Sequence, residues 1–371
     1  MKFSCSQSQL SKALNIVSKA VSNRTTIPVL KSILLETTED GMLKMSASDL
    51  DLEIETKIPV HVEEVGSIAV GAKLFYEFIR KLPNESISVE KQDGGIVLIK
   101  ALNSEFKLIG QSADEFPTIK GIEGEQETLS IDKNILTDMI RKTSFCASLD
   151  ETKGIIVGIL MEISEEGFNM VALDGFRMAV SREAMRSDMN KNVVVGARIL
   201  NEVNKIISES NTEDDVKIIF GDKRAAIMME DTKIYMRLMD GEFIKYKDIL
   251  PKQSDTVVRI SRRSLIESVE RASLFAREGR NNLITCSISS NFMQITSNSE
   301  EGNAKEDIMV NTIGEGLDIG FNSKYILDAL KVIEDEDIVM EFNTPITPCL
   351  IKPTMGDRFE YLILPVRIPG N

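Results

Sequence analysis

The sequence predicts an α+β protein made of three tandem copies of one module, each with two helices on one face of a mostly antiparallel sheet. Three observations predict this fold. A strand followed by an amphipathic helix returns with a period near 125 residues, and a second helix with similar flanking residues returns in each copy. Apolar and polar residues alternate in the stretches between the helices.

Each copy opens with a strand that runs into a helix, and these segments start at Phe3, Leu129 and Val258. In every helix a leucine is followed four positions later by a second apolar residue. The pairs are Leu10 with Leu14, Leu136 with Ile140, and Leu265 with Val269. Because residues four apart share one helix face, each helix is predicted to bury that face.

A second helix recurs further along each copy, and the landmarks around it keep one register. Basic residues before it are spaced by 125 and 126, an acidic or amide residue recurs at 125 and 124, and a phenylalanine recurs at 127. These landmarks are Lys73, Arg198 and Lys324; Asp49, Asp174 and Asn298; and Phe116 and Phe243. Their shared register indicates triplication, with modules at residues 1–122, 128–250 and 255–371.

The segments between the helices of the first copy are typical of strands. Apolar and polar residues alternate over residues 33–39, 43–48 and 52–60, with a turn at 39–41. The same alternation continues at residues 87–89, 96–99 and 106–108. These stretches predict the sheet against which the two helices pack.

Length and composition indicate a globular protein of two or three domains. Its 371 residues exceed one ordinary core, and 42% are hydrophobic and 27% charged. No run approaches the roughly 18 apolar residues of a membrane span, and the first residues carry no signal-peptide core, so we expect a cytoplasmic protein without a membrane partner. Cys5, Cys146, Cys286 and Cys349 lie far apart and are expected to be free, buried thiols.

The net charge of −14 is unevenly distributed along the chain. The windows 7–22, 72–82, 132–146, 197–207, 261–277 and 322–333 together carry +9, which leaves −23 on the remainder. These helices either present ordinary solvated lysines or face a common polyanion. No aromatic residues alternate with the basic ones, so the second interpretation favours sequence-independent contact with the phosphates of duplex DNA. The candidate DNA-facing residues are Arg24, Lys12, Lys73, Arg80, Lys81, Arg141, Lys142, Arg198, Lys205, Arg263, Lys324 and Lys331.

Two chains would bring twelve such helices together. With neighbouring axes about 9 Å apart, they would line a circle roughly 34 Å across, which is the scale of a hydrated duplex. A scaffold ring without DNA is an alternative that fits the repeats and the acidity. It does not account for the basic helices.

The sequence offers little for catalysis or for a cofactor. His61 is the only histidine, and no second histidine or cysteine lies near it to complete a metal site. The chain has no phosphate-binding glycine loop and no nucleophile elbow. Asp174-Gly175 fits a turn better than a catalytic acid, and residues 334–337 fit a solvated turn better than a cation site. We therefore predict a protein that is not an enzyme and that needs no metal or other cofactor.

Three stretches in their expected order give the chain a family resemblance. RTTIPVLKSILLET (24–37), DGFRMAV (174–180) and FNSKYILDAL (321–330), followed by YLILPVRI near the end, make residues 1–368 resemble the bacterial DNA sliding clamp, the beta subunit of the replicative DNA polymerase III holoenzyme. The resemblance implies a clamp fold that closes head to tail as a homodimeric ring around duplex DNA. Such a processivity factor is placed on DNA by a clamp loader and holds the polymerase there. A specialised or resistance-type duplicate of the clamp is the alternative within the family.

The resemblance also implies a pocket for short linear peptides of the polymerase III alpha subunit, the clamp loader and repair proteins. It carries over to Ile156, Leu173, Gly175, Phe176, Arg177, Met178, Ile244, Ile249, Asn322, Tyr325, Ile346, Leu364, Pro365, Val366, Arg367 and Ile368. Apolar residues with a few polar ones at the rim suit a peptide anchor. Phe176, Ile244 and Asp248 stand where the family commonly has histidine, proline and arginine, which implies a changed preference among peptides.

The resemblance finally implies a ring seam between the first module of one chain and the third of the other. Phe106 and Leu108 would meet Leu274 and Phe275 there. Lys107 would lie near an acidic stretch formed by Glu300, Glu301, Glu306 and Asp307. Asn103 and Glu105 replace arginines that are common in the family's seam, which implies a more apolar seam with weaker charge complementarity.

Overall fold

The computed structural model describes residues 1–22, 25–210, 215–278 and 282–368. Within these ranges it contains six α-helices, two in each repeat, as the sequence predicts. They are Gln7–Val17 (α1), Ala72–Lys81 (α2), Lys133–Thr143 (α3), Ala197–Glu209 (α4), Arg262–Glu278 (α5) and Ser323–Val332 (α6).

The strands fall into three groups that follow the repeats. The first group is Lys2–Ser6 (β1), Ser32–Thr37 (β2), Met42–Ser48 (β3), Leu52–Pro59 (β4), His61–Glu64 (β5), Gly66–Gly71 (β6), Ser86–Lys91 (β7), Ile96–Ala101 (β8) and Ser104–Gln111 (β9). The second is Glu127–Ile131 (β10), Gly158–Ser164 (β11), Gly167–Leu173 (β12), Arg177–Glu183 (β13), Lys191–Gly196 (β14), Val216–Phe220 (β15), Arg224–Met228 (β16) and Thr232–Arg237 (β17). The third is Thr256–Ser261 (β18), Leu283–Ile288 (β19), Phe292–Ser299 (β20), Gly302–Met309 (β21), Asn311–Ile313 (β22), Asp318–Asn322 (β23), Asp337–Phe342 (β24), Cys349–Pro353 (β25) and Phe359–Ile363 (β26).

The chain divides into two compact units, and the second repeat contributes to both. The first unit comprises Met1–Lys133 and Glu202–Leu238, with a 13-stranded sheet in the order β10-β15-β16-β17-β4-β3-β2-β6-β9-β8-β7-β1-β5. The second comprises Asn134–Asn201 and the chain from Met239 onward. It has a nine-stranded sheet, β14-β11-β12-β13-β26-β25-β24-β18-β22, and a four-stranded sheet, β21-β20-β19-β23.

Each unit contains one place where a strand of one repeat pairs with a strand of the next, and we call this an inter-repeat joint. In the first unit β4 pairs antiparallel with β17, and Leu52 lies opposite Met236. In the second unit β13 pairs antiparallel with β26, and Arg177 lies opposite Ile363. The joints make each sheet continuous from one repeat into the next.

The helices begin and bury their faces as the sequence predicts. The Ser6 side chain caps α1 by accepting from the backbone N–H of Gln9, and Asn322 caps α6 in the same way at Lys324. The paired apolar residues four apart in the first helix of each repeat are all buried. The first predicted strand is shorter than its pattern, because Thr38 N–H donates to Met42 O at 2.9 Å and closes a hairpin turn there.

The fold also bears on the four cysteines and on membrane crossing. All four cysteines are free and buried, as predicted, and burial raises the pKa of the Cys5 and Cys286 thiols to about 12. They are therefore protonated and unreactive at neutral pH. In the part of the chain that the structure describes, no helix combines the length and the apolar character that a membrane crossing requires.

Candidate functional site

The turn between β12 and β13 presents two of the predicted peptide-binding residues. Asp174 Oδ1 accepts hydrogen bonds from the backbone N–H groups of Phe176, at 2.9 Å, and Arg177, at 3.1 Å. Gly175 has a φ of 93°, a value that glycine adopts without strain. Asp174-Gly175 is thus a side-chain-stabilised turn, which confirms the prediction, and the turn holds the Phe176 ring outward with 53% of its surface exposed.

Arg177 is the centre of a polar cluster beneath this turn. Its guanidinium donates to Asp174 Oδ2 at 3.0 Å, to Asp328 Oδ2 at 2.7 Å and to the backbone oxygen of Phe145 at 2.8 Å. Burial opposes the charged form, but the hydrogen bonds to the two carboxylates raise the pKa of Arg177 above its ordinary value. Because its donors point to protein acceptors, Arg177 holds the second repeat against α6 of the third rather than projecting toward a ligand.

Aromatic rings form one wall of the candidate site. The rings of Phe176 and Tyr325 stack with centroids 6.3 Å apart and planes 25° apart. The Arg177 guanidinium lies 4.6 Å from the Tyr325 centroid, and the ammonium of Lys153 lies 5.8 Å from that of Phe176. The buried arginine therefore fixes Tyr325, and Tyr325 in turn supports the exposed ring of Phe176.

The C-terminal segment is held alongside this wall. The predicted strand of Phe359, Tyr361 and Ile363 is β26, which ends just before Leu364 and Pro365. Leu364 N–H donates to Phe176 O at 2.9 Å, and Val366 N–H donates to Gly320 O at 2.8 Å. A side chain at 320 would come within 2.5 Å of Val366 O, so Gly320 permits the segment to lie against β23.

Leu173 and Met178, two of the predicted peptide-binding residues, lie below the surface. Both are buried, with 5% and 3% exposure, in a cluster that includes Phe243 and Leu362. They face away from solvent because the connector from 239 to 250 covers this part of the sheet. They form a floor beneath the predicted site, and Ile156 packs against the edge of the same cluster.

The rest of the predicted site is accessible on elements around that floor. Exposure is 41% for Ile244, 42% for Ile249, 78% for Ile346 and 36% for Leu364. Together with Phe176 these four residues are called the apolar patch below. Arg367 is exposed, and Asn322, Pro365, Val366 and Ile368 are half-buried.

A carboxylate on β11 anchors the connector, and the sequence pattern did not reveal it. Glu162 accepts from the Tyr246 hydroxyl at 2.5 Å, from Asn169 at 2.9 Å, and pairs with Lys247 at 3.2 Å. Burial alone would raise the pKa of the Glu162 carboxyl, but these hydrogen bonds and the Lys247 charge lower it below its ordinary value. The anchor sets the position of Ile244 and Ile249 on either side of Tyr246.

The predicted basic residues divide into two groups. Five of them are exposed on helices and form no ion pair with another described residue: Lys12, Lys73, Arg80, Lys81 and Lys324. Arg198 is also exposed, at the start of α4. Arg24 lies outside the described residues. The five residues without an ion pair stay available for phosphate contacts.

The remaining five basic residues already have a carboxylate partner within the chain. Arg141 and Lys142 both bind Asp138, one turn earlier on α3, and Arg141 also binds Glu334 at 2.7 Å. The other pairs are Lys205 with Glu202 at 2.8 Å, Arg263 with Glu267 at 2.8 Å and Lys331 with Glu270 at 3.2 Å. A local partner cancels most of the charge seen at a distance, so these residues are weaker candidates than their sequence positions indicated.

The first-repeat residues predicted at the seam lie along a strand edge. Ser104 to Ile109 of β9 pair with β8 on one side, and among the described residues no strand pairs with them on the other. The Phe106 ring packs 4.8 Å from that of Phe78 on α2. Leu108 is only 8% exposed, so it belongs mainly to its own core, whereas the neighbouring Ile109, which is not among the predicted seam residues, is 86% exposed.

The third-repeat residues predicted at the seam surround a second free edge. Among the described residues β21 pairs with β20 alone. Leu274 on α5 is 61% exposed, and Phe275 approaches Gly302 so closely that a Cβ there would lie 3.0 Å from the ring. Of the acidic stretch predicted near Lys107, Glu306 already pairs with Arg271 at 2.5 Å.

Comparison with known proteins covers the whole chain. Models of three domain families match: the DNA polymerase III beta subunit N-terminal domain at residues 1–120, its central domain at 130–245 and its C-terminal domain at 247–367. These three matches confirm the triplicated fold. The predicted module limits stay predictions.

Relatives and solved structures agree with the domain matches. The chain is 34% identical to the beta sliding clamp of Bacillus subtilis and 32% identical to that of Synechocystis, with 99% of this chain and all of each relative covered. The crystal structure of the Bacillus subtilis clamp superposes with a TM-score of 0.94 at 33% identity, covering 99% of both chains. A Pseudomonas aeruginosa clamp bound to griselimycin superposes with a TM-score of 0.92 at 28% identity, covering 99% of this chain and all of that one.

Proposed function

The chain belongs to the family of bacterial sliding clamps, the beta subunits of DNA polymerase III, and on that premise we propose how its surfaces carry out clamp function. It acts as a DNA sliding clamp in replication. Two copies join head to tail as a ring around duplex DNA in the cytoplasm, and the ring keeps the replicative polymerase on its template. Its role is mechanical: the ring binds the polymerase and retains it on DNA, and it catalyses no reaction.

The exposed basic residues of the helices are proposed to face the DNA. Lys73, Arg80 and Lys81 lie on α2, Lys12 lies on α1 and Lys324 begins α6, all exposed and without a carboxylate partner among the described residues. Lysine and arginine side chains meet phosphates through charge and carry no base-specific information. Such contacts hold the duplex loosely, which suits a ring that slides.

The observation that carries the peptide-binding proposal is the apolar patch. Four of its residues sit on the turn, connector and C-terminal segment around one buried floor, and the fifth, Ile346, lies in the β24–β25 turn. A short peptide could bury one or two large apolar side chains on this floor, against the stacked ring of Phe176. Anchors of that kind supply most of the affinity of a small interface, and a Kd near micromolar corresponds to about −8 kcal/mol.

The test uses a peptide derived from the polymerase III alpha subunit and calorimetry on the full-length protein. Deleting residues 364–371 should abolish binding, because Leu364 leaves the patch and the backbone support at Phe176 is lost. Phe176→Ala should weaken binding while leaving Arg177 and its partners in place. The control is Met355→Ala, an equally apolar and 82% exposed residue in the hairpin at the opposite end of β26.

The outcomes separate cleanly. Full-strength peptide binding by the truncated protein would put the pocket elsewhere. Phe176→His restores the residue common in the family, and it should change the ranking among peptides rather than abolish binding, since it replaces an apolar ring by a polar one on the wall.

A further inference from the structure

The two inter-repeat joints share one strand register, and the same register can be applied to the unpaired edges of β9 and β21. In the first joint, Leu52 opposes Met236 and Glu55 opposes Lys233. In the second, Arg177 opposes Ile363 and Val180 opposes Glu360. Leu52 and Arg177 are equivalent, since each supplies the backbone oxygen that accepts from the aspartate three residues earlier. The joints are therefore two copies of the same strand pairing.

A third copy of this pairing would need two strands that do not pair with each other within one chain. Its first strand is β21, because the hairpin pair Asn298–Asn303 encloses four residues, as do Leu173–Met178 and Ser48–Glu53 in the earlier repeats. By this correspondence Gly302 is the counterpart of Arg177 and Leu52. β21 is the edge strand of its sheet among the described residues.

Its second strand is β9. The hairpin before β9 closes through Ala101 opposite Ser104, around a two-residue turn. The hairpin before β17 closes through Met229 N–H on Thr232 O at 2.9 Å, again around two residues. Ser104 is thus the counterpart of Thr232, and counting along the strands makes Leu108 the counterpart of Met236.

We propose that the ring seam repeats the register of the joints, so that Leu108 of one copy opposes Gly302 of the other and Glu105 directly opposes Lys305. This inference rests on the proposed ring and names the contacts that close it. The occupant of each free edge is a second copy of this chain.

The side chains on both strands agree with this register. On the helix side, the Phe275 ring lies over Gly302, where no side chain intervenes, and Leu108 would pack beside it. On the opposite side, Glu105 is 51% exposed and reaches only Lys100 at 3.5 Å and Lys107 at 3.8 Å. Lys305 is exposed and has no ion-pair partner among the described residues. Directly opposed residues have Cβ atoms about 5 Å apart, close enough for an ion pair.

Charge also opposes a slip of the ladder. A slip must be by two residues to keep the apolar faces aligned. In one direction it would oppose Lys107 to Lys305 and Glu105 to Asp307, which are both like-charge pairs. In the other it would oppose Glu105 to Asn303 but move Lys107 opposite Glu301 in the turn before β21, so charge opposes the first slip and not the second.

The test measures the dimer dissociation constant by sedimentation of the full-length chain at low ionic strength. Glu105→Lys and Lys305→Glu should each raise it by about ten- to a hundred-fold, because a ring has two seams and each would oppose like charges. Mixing the two variants should restore dimers, since in a mixed ring both seams again pair opposite charges. The double variant, with Glu105→Lys and Lys305→Glu in one chain, should also dimerise. Lys217→Glu, on a paired strand of the first unit, makes the same charge change as Lys305→Glu and should have no effect.

Three results would overturn the inference in distinguishable ways. If the unaltered chain is monomeric, both the proposed ring and the proposed register are wrong. If it is dimeric but the single variants dimerise as well as it does, Glu105 and Lys305 do not meet. If the single variants dissociate and mixing fails to rescue them, the two residues act at the seam through other partners.

Discussion

Replacing Arg177 by alanine is the perturbation whose effect can be worked out most fully from the structure. The side chain is 9% exposed, and its removal deletes hydrogen bonds to Asp174, to Asp328 and to the Phe145 backbone oxygen. It also leaves the carboxylates of Asp174 and Asp328 with 15% and 29% exposure and no counter-charge from Arg177. Breaking a buried ion pair from one side costs about 3–5 kcal/mol, so a loss of that size is expected in the unit that contains Arg177.

Urea denaturation followed by circular dichroism and by peptide binding measures the loss. Arg177→Lys keeps the charge but not the planar fork, so it should recover only part of the stability. Peptide affinity should fall as well, because Tyr325 loses the guanidinium that fixes its ring beside Phe176. A loss below about 1 kcal/mol in Arg177→Ala would refute the view that this cluster joins the repeats, since it would equal an exposed surface pair.

Three further predictions concern the seam, the helices and the connector. Leu274→Ala should shift the protein toward monomer in sedimentation at micromolar concentration, because it removes an exposed apolar contact of about 1.5–3 kcal/mol at each seam; an unshifted dimer would contradict the seam. Lys12→Ala with Lys73→Ala should lower duplex affinity and flatten its salt dependence without changing peptide binding, and unchanged affinity at low salt would place both residues away from the DNA. Because the pKa of Glu162 is lowered in the folded state, its contribution to stability is present above the ordinary glutamate pKa of about 4.3. This contribution is lost as the pH falls through the folded-state pKa. Glu162→Gln should therefore lower the urea midpoint at pH 6. On acidification its urea midpoint should fall by less than that of the unaltered protein, and parallel pH profiles of the two proteins would refute this.

Periodicity was sufficient to predict the repeats and the helices. Leu10, Leu136 and Leu265 are each at most 1% exposed, and the helix that carries each one begins within a residue or two of its predicted start. A helical pattern reports burial of one face directly, and three aligned copies reinforce each other. The predictions of site residues on turns and connectors rest on the family resemblance alone.

Burial and pairing across the chain were beyond the sequence pattern. Leu173 and Met178 were expected to line the pocket, and the connector that covers them leaves no local signal in the sequence. Asp138 binds Arg141 and Lys142, two of the residues predicted to face DNA, through i,i+3 and i,i+4 pairs that a charge count along the chain does not show. Glu162 and Tyr246 are 84 residues apart, so their hydrogen bond has no local signature.

Comparison of the two joints explains why only one of them has an apolar floor. The floor residues Val171, Leu173 and Met178 of the second joint correspond to Ser46, Ser48 and Glu53 in the first. In the first joint Glu53 is instead paired with Arg224 at 2.7 Å. A polar floor offers no transfer free energy to an apolar peptide anchor, so of the two joints only the second suits the proposed peptide site.

Retention on DNA after gel filtration tests the central claim, that two copies encircle the duplex. The protein is loaded with its ATP-driven clamp loader onto nicked circular DNA, separated from free protein in moderate salt, and the DNA is then cut once. Dimers are expected to stay with the circle and to leave after linearisation, because a topological link survives salt and is lost at a free end. Equal retention on circular and linear DNA, or none on either, would contradict it.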